Sequence, residues 1–271
     1  MKNSIIKLLI GFLLPIAVII IAGKINIWYG IAAALIYIAI IVYSSRTLIY
    51  SVIGSRNYGK KDMDKALKWF KKAYSTNKSN TKTSVSYAYL LLKSGQPKEA
   101  EEILQSLLKK NLNSDDASYV KSNLALALWK KGNIDAAVAM LEEVMLTYKT
   151  TSVYGSLGYL LIAQGDLEKA LKFNLEAHEY NSTDKIILDN LGQNYYLLGM
   201  NDKAKEIYEP LISQSPSFPE PYYNYGLVLA ALDDTQAAVD MMKKALDFKF
   251  SYLSTISKEE IEKKLSELGE E

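Results

Sequence analysis

The sequence predicts an all-α protein built in three parts. Residues 1–46 form a transmembrane helical hairpin, residues 47–252 form a solenoid of about six helix-turn-helix repeats, and residues 253–271 form a capping helix and tail. Two observations lead to this prediction. Two long apolar runs lie near the N-terminus, and amphipathic helix pairs follow them with a period of about 34 residues. Such a pair cannot cover its own apolar stripes, so it needs neighbours like itself.

Two apolar runs predict the hairpin. The first occupies residues 5–22 and is broken only by Lys7. At about 1.5 Å per residue this run just reaches across a thin hydrocarbon core. A polar break at residues 23–26 separates it from the second run, residues 27–43, which begins with the interface-type side chain Trp28. We therefore expect the protein to contact membrane lipid through residues 5–22 and 27–43.

The first run has two other interpretations. A cleaved signal peptide shares its basic start and apolar centre, but no small-x-small cleavage site precedes a polar mature start, and a second run follows immediately. Two buried core helices of a soluble fold are the other alternative. That alternative is disfavoured because neither run has a polar face.

The distribution of basic residues predicts the orientation in the cell membrane. The turn between the two runs offers only Lys24. The segment after the second run is richer in basic residues, namely Arg46, Arg56, Lys60 and Lys61. Because positive charge is retained on the cytoplasmic side, the repeats are expected in the cytoplasm.

The repeat is clearest in residues 151–184, where two amphipathic helices are hinged at Gly165. A small residue in the second helix of each pair allows close helix packing, and it recurs six times: Ala66, Ala100, Ala137, Ala170, Ala204 and Ala238. The first helix carries a repeated apolar-glycine pair: Leu157-Gly158, Leu191-Gly192 and Tyr225-Gly226. Further glycines mark the turns: Gly95, Gly132 and Gly199.

With this period and these shared positions, residues 47–252 resemble six tetratricopeptide repeats, of which the first is the least regular. The resemblance implies a concave groove lined by the first helix of each repeat, and a protein or peptide as the partner. The lysine-rich clamp that some members of this family use to hold a C-terminal carboxylate is not matched here.

Three junctions are predicted from local signals. The second apolar helix is expected to continue directly into the first repeat through residues 44–46. Extra residues at 111–116 place a helix cap at Ser114 or Asp115. Ser257 begins a capping-box pattern for the final helix, which then caps the repeat end.

The family's groove positions map onto an aromatic and amide-rich set. Asparagines occupy the same position in repeats three, five and six, whereas Ser156 interrupts the series in repeat four. In related proteins an asparagine there can hydrogen-bond an extended peptide, since an amide is both donor and acceptor. The alternative is that the asparagines only pack or cap neighbouring helices. Aromatic side chains would anchor a partner. The predicted partner-binding residues are Tyr89, Asn123, Trp129, Tyr159, Asn190, Gln193, Tyr196, Tyr223 and Asn224.

Composition argues against several other functions. The chain has no cysteine, and its single histidine, His178, has no evident partners for catalysis or metal binding. Residues 57–271 hold 27 basic and 30 acidic residues, so no basic stripe for nucleic acid is expected. No phosphate loop or nucleophile-base pair is present in the sequence. We expect no enzymatic activity, no cofactor, no metal and no nucleic-acid partner.

These observations predict a membrane-anchored scaffold that binds a protein or peptide segment in the groove at the cytoplasmic face. An accessory subunit of a membrane enzyme or transporter, bound through the hairpin, is the alternative.

Overall fold

The computed structural model of the protein describes residues 9–76 and 79–269. Apart from a short π-helix, Leu9–Leu13, the regular structure in these ranges is α-helical, and they contain no β-strand. Residues 5–8 of the first apolar run, together with Lys2 and Lys7, lie outside the described residues. The α-helices are α1 (Leu14–Ile25), α2 (Ile27–Ser44), α3 (Arg46–Gly59), α4 (Met63–Tyr74), α5 (Thr81–Lys93), α6 (Pro97–Leu108), α7 (Ser114–Lys130), α8 (Ile134–Met145), α9 (Thr151–Gln164), α10 (Leu167–Tyr180), α11 (Lys185–Leu197), α12 (Asn201–Ser213), α13 (Glu220–Ala231), α14 (Thr235–Leu246) and α15 (Lys258–Glu267).

The chain divides into two compact units, Met1–Thr83 and Ser84–Glu271. In the first unit, α1 and α2 pack against each other as a hairpin. The turn is tighter than the predicted break at 23–26, because α1 continues to Ile25 and only Asn26 lies between the helices. The Asn26 side chain explains this turn, since its Oδ1 accepts the Trp28 amide at 2.9 Å and caps α2.

Close helix approach and one hydrogen bond join the hairpin. A Cβ on Gly30 would lie 2.8 Å from the Gly23 Cα, so only glycine fits there. Pro15 has no N–H, so the carbonyl of Gly11 lacks its usual partner four residues on. The Tyr37 hydroxyl of α2 donates to that carbonyl at 2.6 Å. The second helix therefore supplies the donor that proline removes from the first.

The hairpin helices expose apolar side chains. Trp28 is 71% exposed and Tyr43 is 68% exposed. Among the described residues, one helix, α2, is long and apolar enough to cross a membrane by length and composition, with a mean hydropathy of 2.0. The other apolar stretch, Gly11–Ile25, is shorter. A hairpin of two membrane spans therefore stays a prediction.

The first repeat consists of α3 and α4, which pack against each other. The predicted direct continuation of α2 is interrupted at Ser45, which lies outside both α2 and α3. Gly54 of α3 packs on the Phe70 ring of α4, because a Cβ there would stand 2.7 Å from Phe70 Cδ2.

The second unit continues the series with five helix pairs. They are α5 and α6, α7 and α8, α9 and α10, α11 and α12, and α13 and α14, followed by α15. All six aligned alanines are fully buried, which confirms the predicted register: Ala66, Ala100, Ala137, Ala170, Ala204 and Ala238. The turn glycines have positive φ, which an L side chain rarely adopts: Gly95, Gly132, Gly165 and Gly199. The prediction of an all-helical repeat solenoid is confirmed.

Two predicted helix caps have different outcomes. The cap of α7 is Asn113, whose Oδ1 accepts the Asp116 amide at 2.8 Å, so the prediction of Ser114 or Asp115 was wrong. Both predicted residues come after the cap residue and lie inside the first turn of α7. Ser257 does cap α15, since its Oγ accepts the Glu260 amide at 3.1 Å.

Candidate functional site

The inner face of the second unit is defined here as the surface formed by the first helix of each pair: α5, α7, α9, α11 and α13. Its repeats two to four carry Tyr89, Trp129 and Tyr159, which we call the aromatic half. Trp129 and Tyr159 form an edge-to-face pair with ring centroids 5.2 Å apart. All three side chains are half-buried. The structure therefore brings two predicted anchors from adjacent repeats together.

Repeats five and six carry Asp189, Asn190 and Asn224, which we call the amide half. All three residues are buried. Asn190 Nδ2 donates to the Gly155 carbonyl at 2.8 Å, and Asn224 Nδ2 donates to Asp189 Oδ1 at 3.0 Å. These bonds join α11 to α9 and α13 to α11. They are the bonds expected of the packing alternative for the asparagines.

The remaining predicted residues are divided between buried and half-buried positions. Asn123 is buried, and its Nδ2 donates to the Tyr119 carbonyl within α7 at 2.9 Å. Tyr223 is also buried, and its hydroxyl donates to Glu260 Oε1 of the capping helix at 3.4 Å. Gln193 and Tyr196 of α11 are half-buried. The half-buried members of the predicted set are thus Tyr89, Trp129, Tyr159, Gln193 and Tyr196.

Asp189 is a buried carboxyl group, and in the described part of the chain its side chain forms hydrogen bonds with neutral groups and no ion pair. Its Oδ1 accepts from the Tyr208 hydroxyl and from Asn224 Nδ2, both at 3.0 Å. Burial, with a smaller contribution from the charge of Glu220, raises the pKa of Asp189 to about 7, against the opposing effect of the hydrogen bonds from Asn224 and Tyr208. The amide half therefore contains a group that titrates near neutral pH.

A segment outside the helix pairs lies against the inner face. It consists of residues 247–257, between α14 and α15, and we call it the strap. The Tyr252 amide donates to the Lys93 carbonyl at the end of α5 at 3.1 Å. The Tyr252 hydroxyl donates to the Lys130 carbonyl at the end of α7 at 3.3 Å. The strap thus reaches from repeat six to repeats two and three.

Two charged groups hold the rest of the strap. Lys130 Nζ donates to the Ser254 carbonyl at 3.0 Å and lies 4.0 Å above the Trp129 ring. Burial lowers the pKa of Lys130, and the negative charge of Glu220 opposes that change. On the other side, the Thr255 amide donates to Glu220 Oε1 at 3.1 Å.

The carboxylate of Glu220 also interacts electrostatically with residues of other repeats. Burial raises the pKa of Glu220, while the hydrogen bonds it accepts and the positive charge of Lys93 lower it. Burial also raises the pKa of Tyr159 to about 12, with the charges of Glu220 and Glu260 adding to the rise. The charge of Glu220 in repeat six therefore acts on Tyr159 in repeat four, and the charge of Lys93 in repeat two acts on Glu220.

Sequence reasoning missed the strap and the groups that hold it, which are Lys93, Lys130, Glu220, Tyr252 and Thr255. One signal was present. Aromatic residues alternate at positions 248, 250 and 252, which is the pattern of an extended segment with one face packed inward. The structure agrees in part: the Phe248 ring packs inward and stacks on that of Tyr222 at 5.2 Å, whereas Tyr252 is 41% exposed and lies in a turn.

Metal ligation is not indicated in the described residues, where no group of three or more histidine, cysteine or acidic side chains could hold an ion. His178 lies half-buried near the end of α10. Beside the strap, the inner face offers aromatic rings, helix-end carbonyls, the ammonium group of Lys130 and the carboxylate of Glu220. These groups suit the binding of a polypeptide backbone.

Comparison with known proteins agrees with this architecture. Family models described as tetratricopeptide repeat match residues 58–124, 119–152, 188–217 and 219–252, and together they cover more than half of the chain. The TPR repeat-containing protein MJ1428 of Methanocaldococcus jannaschii is 28% identical over 155 residues, which is 57% of this chain and 27% of that protein. The TPR repeat-containing protein YvcD of Bacillus subtilis is 29% identical over 124 residues, or 45% of this chain and 26% of that protein. The chain spans about a quarter of the length of these curated relatives.

Solved structures show the same fold. A tetratricopeptide repeat protein from Parabacteroides merdae superposes with a TM-score of 0.65 at 15% identity, covering 94% of this chain and 98% of its own. PilW, described as a widely conserved type IV pilus biogenesis factor, superposes with a TM-score of 0.59 at 14% identity, covering 74% and 92% of the two chains. At these identities the likeness concerns the fold alone.

Proposed function

Because the chain belongs to the tetratricopeptide repeat family, we propose that it is a non-enzymatic scaffold that binds a protein segment on the inner face of its repeats. We further propose that the apolar N-terminal helices anchor it in the cell membrane, with the repeats at the cytoplasmic face. The Trp129–Tyr159 pair is the observation that carries the binding proposal. It presents two half-buried rings beside the cation of Lys130, which is a suitable surface for a partner's apolar anchor.

The membrane proposal rests on the exposed apolar surface of α1 and α2. Leaving side chains such as Trp28 and Ile25 in water would forfeit the stabilisation that burial or lipid contact supplies, roughly 1.5–3 kcal/mol for each large side chain. The excess of basic residues that follows α2 favours the cytoplasmic orientation. Lipid contact through residues 5–22 and 27–43 is part of this proposal.

Contact with a larger membrane complex through the hairpin is the second candidate. The close approach of Gly23 and Gly30 consumes one face of each helix, whereas Ile27 and Leu35 of α2 are more than half exposed. Such surfaces pack against lipid or against other membrane helices. The hairpin would then select the partner, and the repeats would assist.

One experiment separates the two candidates. The full chain with Trp129→Ala and Tyr159→Ala is crosslinked in its own membrane and compared with wild type. The matched control carries Leu146→Ala and Tyr180→Ala, which remove two exposed side chains outside the inner face. Tyr180 is the last residue of α10, and Leu146 directly follows α8. The proposal predicts at least a tenfold loss of crosslinked partner for the first variant and wild-type recovery for the control, with equal helicity.

A third chain has residues 1–46 replaced by an unrelated membrane hairpin. Retention of partners by this chain, together with their loss in the Trp129 and Tyr159 variant, supports inner-face binding. The reverse pattern would overturn it in favour of the accessory-subunit candidate.

A further inference from the structure

We propose that the strap is a built-in occupant of the partner-binding face, and that a partner binds by displacing it with a segment that presents a tyrosine in a turn. This inference rests on the proposed function and specifies the chemistry of the partner. It is carried by the contacts of Tyr252, Ser254 and Thr255 with the inner face.

The strap is held mainly through backbone groups that any polypeptide can supply. Two of its side chains also contribute, those of Ser254, which bonds to Glu220, and Tyr252. Two backbone N–H groups donate, those of Tyr252 and Thr255, and one backbone carbonyl, that of Ser254, accepts.

The Tyr252 hydroxyl donates to the Lys130 carbonyl, and a Cβ built on Gly95 would lie 3.7 Å from the Tyr252 ring. Tyr252 lies in a turn that is closed by the Ser254 amide, which donates to the Ser251 carbonyl at 2.9 Å. A segment with tyrosine at the same place in such a turn reproduces this pattern.

The groups of the inner face that bind the strap are helix-end carbonyls and two charged side chains. The Lys93 and Lys130 carbonyls lie in the last turns of α5 and α7, where carbonyls have no partner within the helix. Lys130 and Glu220 are charged groups withdrawn from water, and each gains a backbone partner from the strap. When the strap lifts, water takes over these hydrogen bonds. A displacing segment that offers the same donors and acceptor restores them.

The strap is anchored at its ends and lightly held between them. Phe248 stacks on Tyr222 at one end, and Ile256 is buried at the other. Between them Tyr252 is 41% exposed and Leu253 is half-buried. A segment with few buried apolar contacts opens at low cost, so its centre can lift while α15 stays in place.

Because the bound strap covers the inner face, it weakens the apparent affinity for a partner. Only chains whose strap has opened can bind, so the apparent dissociation constant rises by the inverse of the open fraction. Weakening the strap without changing the receiving surface should therefore tighten binding of an external segment. Tyr252→Ala does this, because it removes the ring and hydroxyl but leaves Lys93, Lys130 and Glu220 intact.

The probe is a fluorescent peptide with the sequence of residues 247–256, added to the full chain in mild detergent. Fluorescence anisotropy should show that the Tyr252→Ala chain binds this peptide at least tenfold more tightly than wild type. Tyr180→Ala is the matched control, because Tyr180 is 48% exposed and its hydroxyl donates to the Lys149 carbonyl at 3.3 Å. That chain should bind like wild type.

A second opened chain, Leu253→Gly with Ser254→Gly, loosens the strap backbone and should also bind the peptide more tightly than wild type. A peptide with alanine in place of its tyrosine should lose at least tenfold in affinity for both opened chains. Equal binding by opened and wild-type chains, or no binding by either opened chain, would overturn the inference. This readout needs no natural partner, so its failure is distinguishable from a failure of partner crosslinking.

Discussion

The aromatic half and the amide half of the inner face occupy equivalent helices but differ in what their side chains bind. Trp129 and Tyr159 remain half-buried, whereas Asn190 and Asn224 are only 3% exposed and donate to neighbouring helices. The difference shows that a side chain at a groove position of the repeat can instead be buried between helices. Where adjacent first helices pack closely, the polar side chains at these positions bond within the core.

The largest expected effect concerns the pH dependence of the amide half. The pKa of Asp189 is about 7 in the folded protein against an ordinary value of 3.8. Between these values the folded state holds a proton that the unfolded chain has lost, so this group contributes stability that is lost as the pH rises through 7. At about 1.4 kcal/mol per pKa unit, the loss between the two pKa values is about 4 kcal/mol, of which about 3 kcal/mol falls above pH 5.

Asp189→Asn keeps an oxygen acceptor for Tyr208 and Asn224 but carries no charge. Denaturant unfolding of the full chain at pH 5 and pH 8 should show that wild type loses more stability with rising pH than this variant. Asp240→Asn on the exposed side of α14 is the control and should follow wild type. Identical pH profiles for wild type and Asp189→Asn would contradict the assignment.

A smaller effect separates two asparagines at the same repeat position. Asn224→Ala removes a donor to a buried carboxylate and should cost about 1–3 kcal/mol at pH 8. Asn123→Ala removes a bond within its own helix and introduces the best helix former, so it should cost less than about 1 kcal/mol. Unfolding of both variants under one condition measures the difference. Equal losses would mean that the amide half is not distinguished by its internal bonds.

The repeat architecture was predictable because its signals are local and periodic. Each aligned alanine sits at a crowded helix contact, and each turn glycine at a positive φ, so residue type alone identifies these positions. Ser257 is a similar case, since a helix cap depends on residues three apart. Even so, the cap of α7 was placed one or two residues late, because several capping residue types lie side by side at residues 113–116.

The candidate site was less predictable because its contacts join residues far apart in sequence. Lys130 and Ser254 are separated by 124 residues, and no periodic pattern links them. The burial of Asn190 likewise depends on how closely α11 approaches α9, which the spacing of residues within one repeat does not determine. The prediction of the Trp129 and Tyr159 anchors used only adjacent repeats, and the structure does bring those two rings together.

The most direct test of the account is backbone hydrogen exchange across residues 251–255 of the full chain. The Tyr252 and Thr255 amides donate to the inner face, so they should exchange at least tenfold more slowly than in the free peptide of residues 247–256. In the Tyr252→Ala chain the Thr255 amide should lose most of that protection. Exchange of both amides in wild type at the rate of the free peptide would contradict the claim that the strap lies bound to the inner face.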